Sequence, residues 1–160
     1  LLIEKEWGSL KDSKGTPYMQ HVDMGVAWLK TQPNCDLEVL DAWCVHPMVQ
    51  DFKGLEENFD KLITLSTAAA VLAVEYRNQA NTYSTHNMGI AKPRTRFLEQ
   101  ISLMLKADKL QNGWNLERNR KDHSRYAALT TYFSNWLQVL GVTKEEKLAA
   151  YKLFDTMNQN

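Results

Sequence analysis

Apolar residues recur at intervals of three or four along most of this chain, which is the spacing of one face of a helix. The first predicted helix follows the breaker Gly15–Thr16–Pro17. Its apolar face holds Val22, Val26 and Leu29. Asp36 can cap a second helix. We expect that helix to stop or kink at His46–Pro47, because proline lacks a backbone N–H and clashes with the preceding turn.

The rest of the chain continues the helical pattern. One long helix is expected over Leu55–Tyr76, followed by a polar surface loop over Asn78–Lys92. The next helix carries Phe97, Ile101, Met104, Leu105 and Leu110. Another covers about Ser124–Leu140, with Gly141 as its stop, and the capping box Thr143–Lys144–Glu145–Glu146 opens the last helix. Since no stretch alternates with the period of a strand, the sequence predicts an all-α fold.

The composition narrows the class of protein. With 160 residues and 44% hydrophobic residues, the chain is expected to form a single domain over residues 1–160. Its formal net charge of zero argues against nucleic acid as a partner. No apolar run reaches membrane-spanning length and no secretory leader opens the chain, so we expect a cytoplasmic protein without a membrane partner. Cys35 and Cys44 lack metal or redox spacing and are expected to be reduced thiols.

The most specific motif is the run from Lys11 to His21, Lys-Asp-Ser-Lys-Gly-Thr-Pro-Tyr-Met-Gln-His. It resembles the opening of the hydrolase domain of RelA/SpoT-type alarmone hydrolases, small metazoan homologues included. Val39–Val45 resembles the apolar helix before that family's His-Asp pair, and Lys106–Asn112 resembles its Leu-Ala-Asp-Lys/Arg-Leu-x-Asn run. The resemblance implies a single HD-domain-like helical bundle.

The resemblance also implies a metal site. His21, His46 and Asp108 fall on ligand positions of the family, whose usual metal is Mn²⁺. In such a site the metal polarises a phosphate oxygen and lowers the pKa of a bound water. The implied substrate is guanosine tetra- or pentaphosphate, or another small phosphorylated molecule.

Further positions correspond to substrate and catalytic residues of the family. Lys11, Tyr18 and Asn112 fall on substrate-binding positions, and Asp51 and Asn112 on catalytic ones. Because Trp114 follows this asparagine closely, we expect it to lie at the rim of the pocket.

This chain departs from the family pattern at positions that the family uses for metal binding and catalysis. Where the family has His-Asp-x-x-Glu-Asp, this chain has His46–Pro47–Met48–Val49–Gln50–Asp51. Pro47 replaces a ligand carboxylate with a ring that cannot coordinate, and Gln50 replaces a glutamate with an amide that cannot accept a proton. Leu10 stands where the family commonly has an arginine near the substrate phosphates. These replacements predict weak or absent hydrolysis.

For several of these site residues, a structural role is the alternative to a functional one. A histidine such as His21 or His46 is often a hydrogen-bonding group rather than a ligand. A buried Asp108 demands a partner, which could be a metal, a lysine or a helix cap. For Asp51 the alternative is a charge at a helix N-terminus.

The function prediction carries alternatives as well. The leading interpretation is a SpoT-like phosphohydrolase relative, and the second is a non-catalytic HD domain that binds a nucleotide or a protein. A third is an enzyme with a different phosphoester substrate, in which Asp51 or Asp41 supplies the fourth ligand.

Overall fold

The computed structural model describes residues 17–50, 55–81 and 98–159, and it confirms the all-α fold class. These residues form seven α-helices and no β-strand. The helices are α1 (Tyr18–Leu29), α2 (Leu37–Gln50), α3 (Leu55–Leu65), α4 (Thr67–Asn81), α5 (Glu99–Asn119), α6 (Tyr126–Val139) and α7 (Lys144–Met157). None of these helices is long and apolar enough to cross a membrane.

The chain divides into two compact units. The N-terminal unit, Leu1–Asn78, contains α1, α2, α3 and most of α4. The C-terminal unit, Gln79–Asn160, contains α5, α6 and α7. The single domain expected from the sequence stays a prediction.

In the N-terminal unit, α2 packs against α1 and α3. The predicted cap is confirmed, because the Oδ1 atom of Asp36 accepts a hydrogen bond of 2.8 Å from the backbone N–H of Val39. Apolar residues of α2, α3 and α4 form one buried cluster, which removes the apolar faces of these short helices from water. Its members are Met48, Val49, Leu62, Ala70 and Ala73.

The second helix does not stop at His46–Pro47, since α2 continues through Pro47 to Gln50, and this part of the prediction is wrong. The kink given as the alternative stays a prediction. A proline at this position cannot donate to the carbonyl of Trp43, four residues earlier. The Nδ1 atom of His46 forms a hydrogen bond with that carbonyl instead. A side chain therefore satisfies the acceptor that the proline leaves open, and the helix tolerates the ring.

The long helix expected over Leu55–Tyr76 is also wrong, because the structure has two helices separated at Ser66. The Oγ atom of Ser66 accepts a hydrogen bond of 3.2 Å from the backbone N–H of Ala69, which makes Ser66 the cap of α4. The start of the expected loop over Asn78–Lys92 is helical, because α4 extends to Asn81. The remainder of that loop lies outside the described residues.

In the C-terminal unit, α5 packs against both α6 and α7. The predicted stop at Gly141 is confirmed: its φ is 68°, and Val142 donates to the carbonyl of Leu137 in a Schellman motif. The predicted capping box is confirmed, with Thr143 and Glu146 each bonding the other's backbone N–H.

The prediction that Trp114 lies at a pocket rim is wrong. Its side chain is buried in the core against Phe154, and its indole N–H donates to Asp155 at 2.8 Å. Asp155 also receives two hydrogen bonds of 3.0 Å from Arg118, which join α5 to α7.

Candidate functional site

The N-terminal unit brings together two of the three predicted metal ligands. His21 lies in the first turns of α1 and is half-buried, whereas His46 lies near the end of α2 and is buried. Their Nε2 atoms are 3.3 Å apart. We call these two side chains the imidazole pair. Tyr18, a predicted substrate-binding residue, is half-buried one turn before His21 on α1.

Aromatic rings surround the imidazole pair. The ring centroid of Trp43 lies 4.2 Å from that of His46 and 5.1 Å from that of His21. Tyr76, from α4, places its ring edge-on to His46 at 5.1 Å. These rings limit the orientations open to the imidazole of His46 and keep bulk water from that side of it.

Trp43 is itself held in place by α1. Its indole N–H donates a hydrogen bond of 2.9 Å to the carbonyl of Val22. Gly25 makes room for the ring, since a Cβ at that position would lie 2.1 Å from the Cζ2 atom of Trp43. A glycine at residue 25 therefore permits the close approach of α1 and α2 that brings the imidazole pair together.

The hydrogen bond to Trp43 fixes the tautomer of His46. A carbonyl oxygen can only accept, so the Nδ1 atom of His46 must carry the proton in this contact. The neutral ring then has its lone pair on Nε2, which faces His21. The Nε2–H of His21 can donate to that lone pair across the 3.3 Å separation.

The same separation is compatible with shared coordination of one cation. The two Nε2 atoms are close enough that both could bind an ion at the usual metal–nitrogen distance of about 2.1 Å. The backbone carbonyl on Nδ1 is the usual outer partner of a metal-binding histidine.

The third predicted ligand, Asp108, lies buried in α5 with both carboxylate oxygens engaged. Its Oδ2 atom lies 2.6 Å from the ammonium of Lys109, and its Oδ1 atom accepts a hydrogen bond of 2.7 Å from the amide of Asn112. A lysine is one of the partners expected for this carboxylate, and Lys109 fills that role here. The metal-ligand role of Asp108 stays a prediction. Asn112, which was predicted to contact the substrate and to take part in catalysis, donates its amide hydrogen bond to Asp108.

Lys109 is enclosed by aromatic side chains. Its ammonium lies 5.6 Å from the ring centroid of Tyr132 and 5.3 Å from that of Trp136. Burial alone would lower the pKa of Lys109, but the Asp108 carboxylate and the Tyr132 hydroxyl outweigh it, so this pKa is raised. The ammonium stays charged and neutralises Asp108.

The structure thus places the predicted residues in two groups. The imidazole pair belongs to the N-terminal unit, and Asp108 with Asn112 belongs to the C-terminal unit. Convergence of the two groups stays a prediction. Lys11 and Asp51 lie outside the described residues.

The donors do not fit a Mn²⁺ site within the described part of the chain. Mn²⁺ favours carboxylate, carbonyl and water oxygens, whereas the imidazole pair offers two nitrogens and Pro47 offers no donor. Asp41, a proposed substitute ligand, is exposed on α2. No group of three or more His, Cys, Asp or Glu side chains among the described residues could hold a metal.

The sequence analysis left a lysine open as the partner of Asp108 without naming Lys109, and it missed the contacts of Trp43 and Tyr76 with His46. The contact between Lys109 and Asp108 could have been predicted, because a carboxylate among apolar residues requires a partner and the next residue is a lysine. The contacts of Trp43 and Tyr76 depend on helix packing, which no local pattern encodes.

Comparisons with protein-family models, curated proteins and solved structures give no match to this chain. The family resemblance therefore depends on the motifs quoted above.

Proposed function

We propose that this chain is a cytoplasmic HD-type phosphohydrolase relative, of the guanosine tetra- and pentaphosphate 3′-pyrophosphohydrolase type, with weak or absent hydrolysis. The observation that carries the proposal is the imidazole pair, in which two side chains 25 residues apart direct their Nε2 atoms at each other over 3.3 Å. Both histidines occupy family ligand positions, and the 3.3 Å separation of their Nε2 atoms is compatible with binding to one cation.

The loss of activity follows from the donors that are missing or occupied. Pro47 stands where the family has a ligand carboxylate, and Asp108 is neutralised by Lys109. Loss of even an outer partner of a metal ligand commonly costs about 10–100-fold in affinity or activity. Replacing a general base, as Gln50 does, typically costs a further factor of about 10² to 10⁴.

A non-catalytic nucleotide-binding or protein-interaction module is the second candidate. The observation that favours it is the closed network of Asp108, Lys109 and Asn112, which is complete without a cation. A buried carboxylate paired in this way has no electrostatic requirement for a metal.

The test is release of pyrophosphate from guanosine tetraphosphate in the presence of Mn²⁺. We expect turnover far below that of an intact family member assayed beside it, with guanosine tetraphosphate still bound. The matched variants are His21→Ala, within the imidazole pair, and His123→Ala, in the turn before α6. Only the first should lower any residual turnover.

Two outcomes would contradict the proposal. Rapid turnover by the unmodified protein that disappears in His21→Ala would show a working, rearranged site. Calorimetry that detects no guanosine tetraphosphate binding would remove the nucleotide from both candidates and leave the protein-interaction module.

A further inference from the structure

Pro47 occupies a position where a helix normally forbids proline. It is buried within α2, and its nitrogen has no hydrogen to donate to the carbonyl of Trp43. In an uninterrupted helix that carbonyl would accept from the backbone N–H of residue 47. A buried carbonyl without a donor is costly, so another group must supply the hydrogen.

His46 supplies it, through the ring nitrogen that lies against the carbonyl of Trp43. The proton is thereby held on Nδ1, and the lone pair of the neutral ring is held on Nε2. That nitrogen faces the Nε2 atom of His21 at 3.3 Å. With an ordinary residue at position 47, a backbone N–H would compete for the same carbonyl and weaken this constraint on the imidazole.

The geometry points to Pro47 as a positioning residue that sets the tautomer of His46. In the family that the sequence resembles, this position carries a ligand carboxylate. In this chain it acts indirectly, by directing a neighbouring nitrogen lone pair at His21. The pair is thereby prepared for a divalent cation that prefers imidazole, such as Zn²⁺, over the oxygen-preferring Mn²⁺.

Both Nε2 atoms would have to be unprotonated to hold a cation. His21 would then carry its proton on Nδ1 in place of Nε2. His46 needs no change, because the carbonyl of Trp43 already holds its proton on Nδ1. This inference goes beyond the proposed function, since the tautomer exists without nucleotide, metal or hydrolysis.

The test is nitrogen-15 NMR of the metal-free protein, with histidines labelled and the pH high enough to keep the rings neutral. The spectra distinguish a protonated from an unprotonated ring nitrogen. We expect His46 to carry its proton on Nδ1. A proton on Nε2 in the unmodified protein would overturn the inference without any variant being needed.

The variant Pro47→Ala restores the backbone N–H, and we expect His46 to shift toward the Nε2–H tautomer. The matched control is Pro33→Ala, in the exposed turn between α1 and α2, which should leave the tautomer unchanged. A His46 that keeps the Nδ1–H form in Pro47→Ala would show that the proline is not the cause.

Zinc titration provides the second measurement. We expect the unmodified protein to bind Zn²⁺ more tightly than Mn²⁺, and Pro47→Ala to bind Zn²⁺ about 10–100-fold more weakly, as is typical when an outer partner of a ligand is lost. Equal Zn²⁺ affinity in the two proteins, or none in the unmodified one, would overturn the positioning role. Failure of the hydrolysis assay would leave both measurements unaffected.

Discussion

The ammonium of Lys109 lies 2.6 Å from the carboxylate of Asp108, the residue immediately before it, and both side chains are buried. Adjacent residues of a helix do not face each other, so the contact depends on the length and flexibility of the lysine side chain. The ammonium also lies 5.6 Å from the ring centroid of Tyr132 and 5.3 Å from that of Trp136. A formally charged pair is therefore enclosed in the helical core as a neutral unit.

Removing the lysine charge should destabilise the protein strongly. In Lys109→Met, the carboxylate of Asp108 loses its counter-ion while it remains buried. Breaking a buried pair in this way costs about 3–5 kcal/mol. We expect that loss in the free energy of unfolding, measured with urea.

Two companion variants separate charge from packing. Lys106→Met, on the half-buried side of α5, should change stability by about 0.5 kcal/mol or less. The double variant Asp108→Asn with Lys109→Met should recover much of the loss, since no unpaired charge remains. A double variant as unstable as Lys109→Met alone would contradict the electrostatic explanation.

Gly25→Ala should disturb the imidazole pair through Trp43. The added Cβ would lie 2.1 Å from the Cζ2 atom of the indole, so the ring must move. Overpacking of this kind typically costs about 1–3 kcal/mol. We expect that decrease in urea unfolding, together with a shift of the His46 ring resonances.

The clash should depend on the indole itself. In a Trp43→Phe background the nearest ring atoms are absent, so Gly25→Ala should cost less than it does in the unmodified protein. Equal costs in both backgrounds would show that the clash with Trp43 is not the source of the loss.

Acid should weaken the junction between α5 and α7. Hydrogen bonds from Arg118 and Trp114 lower the pKa of Asp155. A carboxyl with a lowered folded-state pKa stabilises the fold above its unfolded pKa of about 3.9, and this contribution is lost as the pH falls through the folded-state pKa. Because both partners are partly exposed, we expect the ion pair to contribute about 1 kcal/mol or less at neutral pH.

The measurement is urea unfolding near neutral pH and at about pH 3, with Asp155→Asn as the matched variant. The asparagine keeps an acceptor for the indole N–H of Trp114 but cannot titrate. We expect the unmodified protein to lose more stability in acid than the variant. The same loss in both proteins would place the acid-sensitive group elsewhere.

Introducing the two carboxylates of the family that the sequence resembles should raise Mn²⁺ affinity before it raises turnover. Residue 47 is already helical, so Pro47→Asp with Gln50→Glu requires no change of the backbone to a new conformation. We expect Mn²⁺ affinity to rise by about 10-fold or more, because the added carboxylate ligand outweighs the weaker hold on the His46 tautomer. Electron paramagnetic resonance of free Mn²⁺ measures it.

The control is the same double variant with His21→Ala, which should lose the gain. Unchanged Mn²⁺ affinity in the double variant would mean that the pocket is not arranged as the family resemblance implies.

The features predicted correctly from the sequence depend on residues a few positions apart. The cap at Asp36, the stop at Gly141 and the capping box from Thr143 to Glu146 each involve one turn of backbone and one or two side chains. Such signals act before tertiary packing and are seldom overridden by it.

The wrong predictions involve hydrogen bonds from side chains, which the spacing of apolar residues does not predict. Pro47 was expected to end or kink α2, but the helix does not end there, because the imidazole of His46 replaces the missing donor. The long helix was expected to pass Ser66, but its hydroxyl caps a new helix there. The contact between Asp108 and Lys109, one of the partners left open for that carboxylate, depends on how a long side chain packs in the core.

The contact between His46 and the carbonyl of Trp43 affects how mutagenesis of this protein should be interpreted. His46 is the obvious first choice for a knockout. Its removal, however, leaves the buried carbonyl of Trp43 without this donor and deletes a candidate ligand in a single change. A phenotype of His46→Ala would therefore mix misfolding with lost binding. Replacement of His21, which is not bonded to that carbonyl, gives the more interpretable knockout.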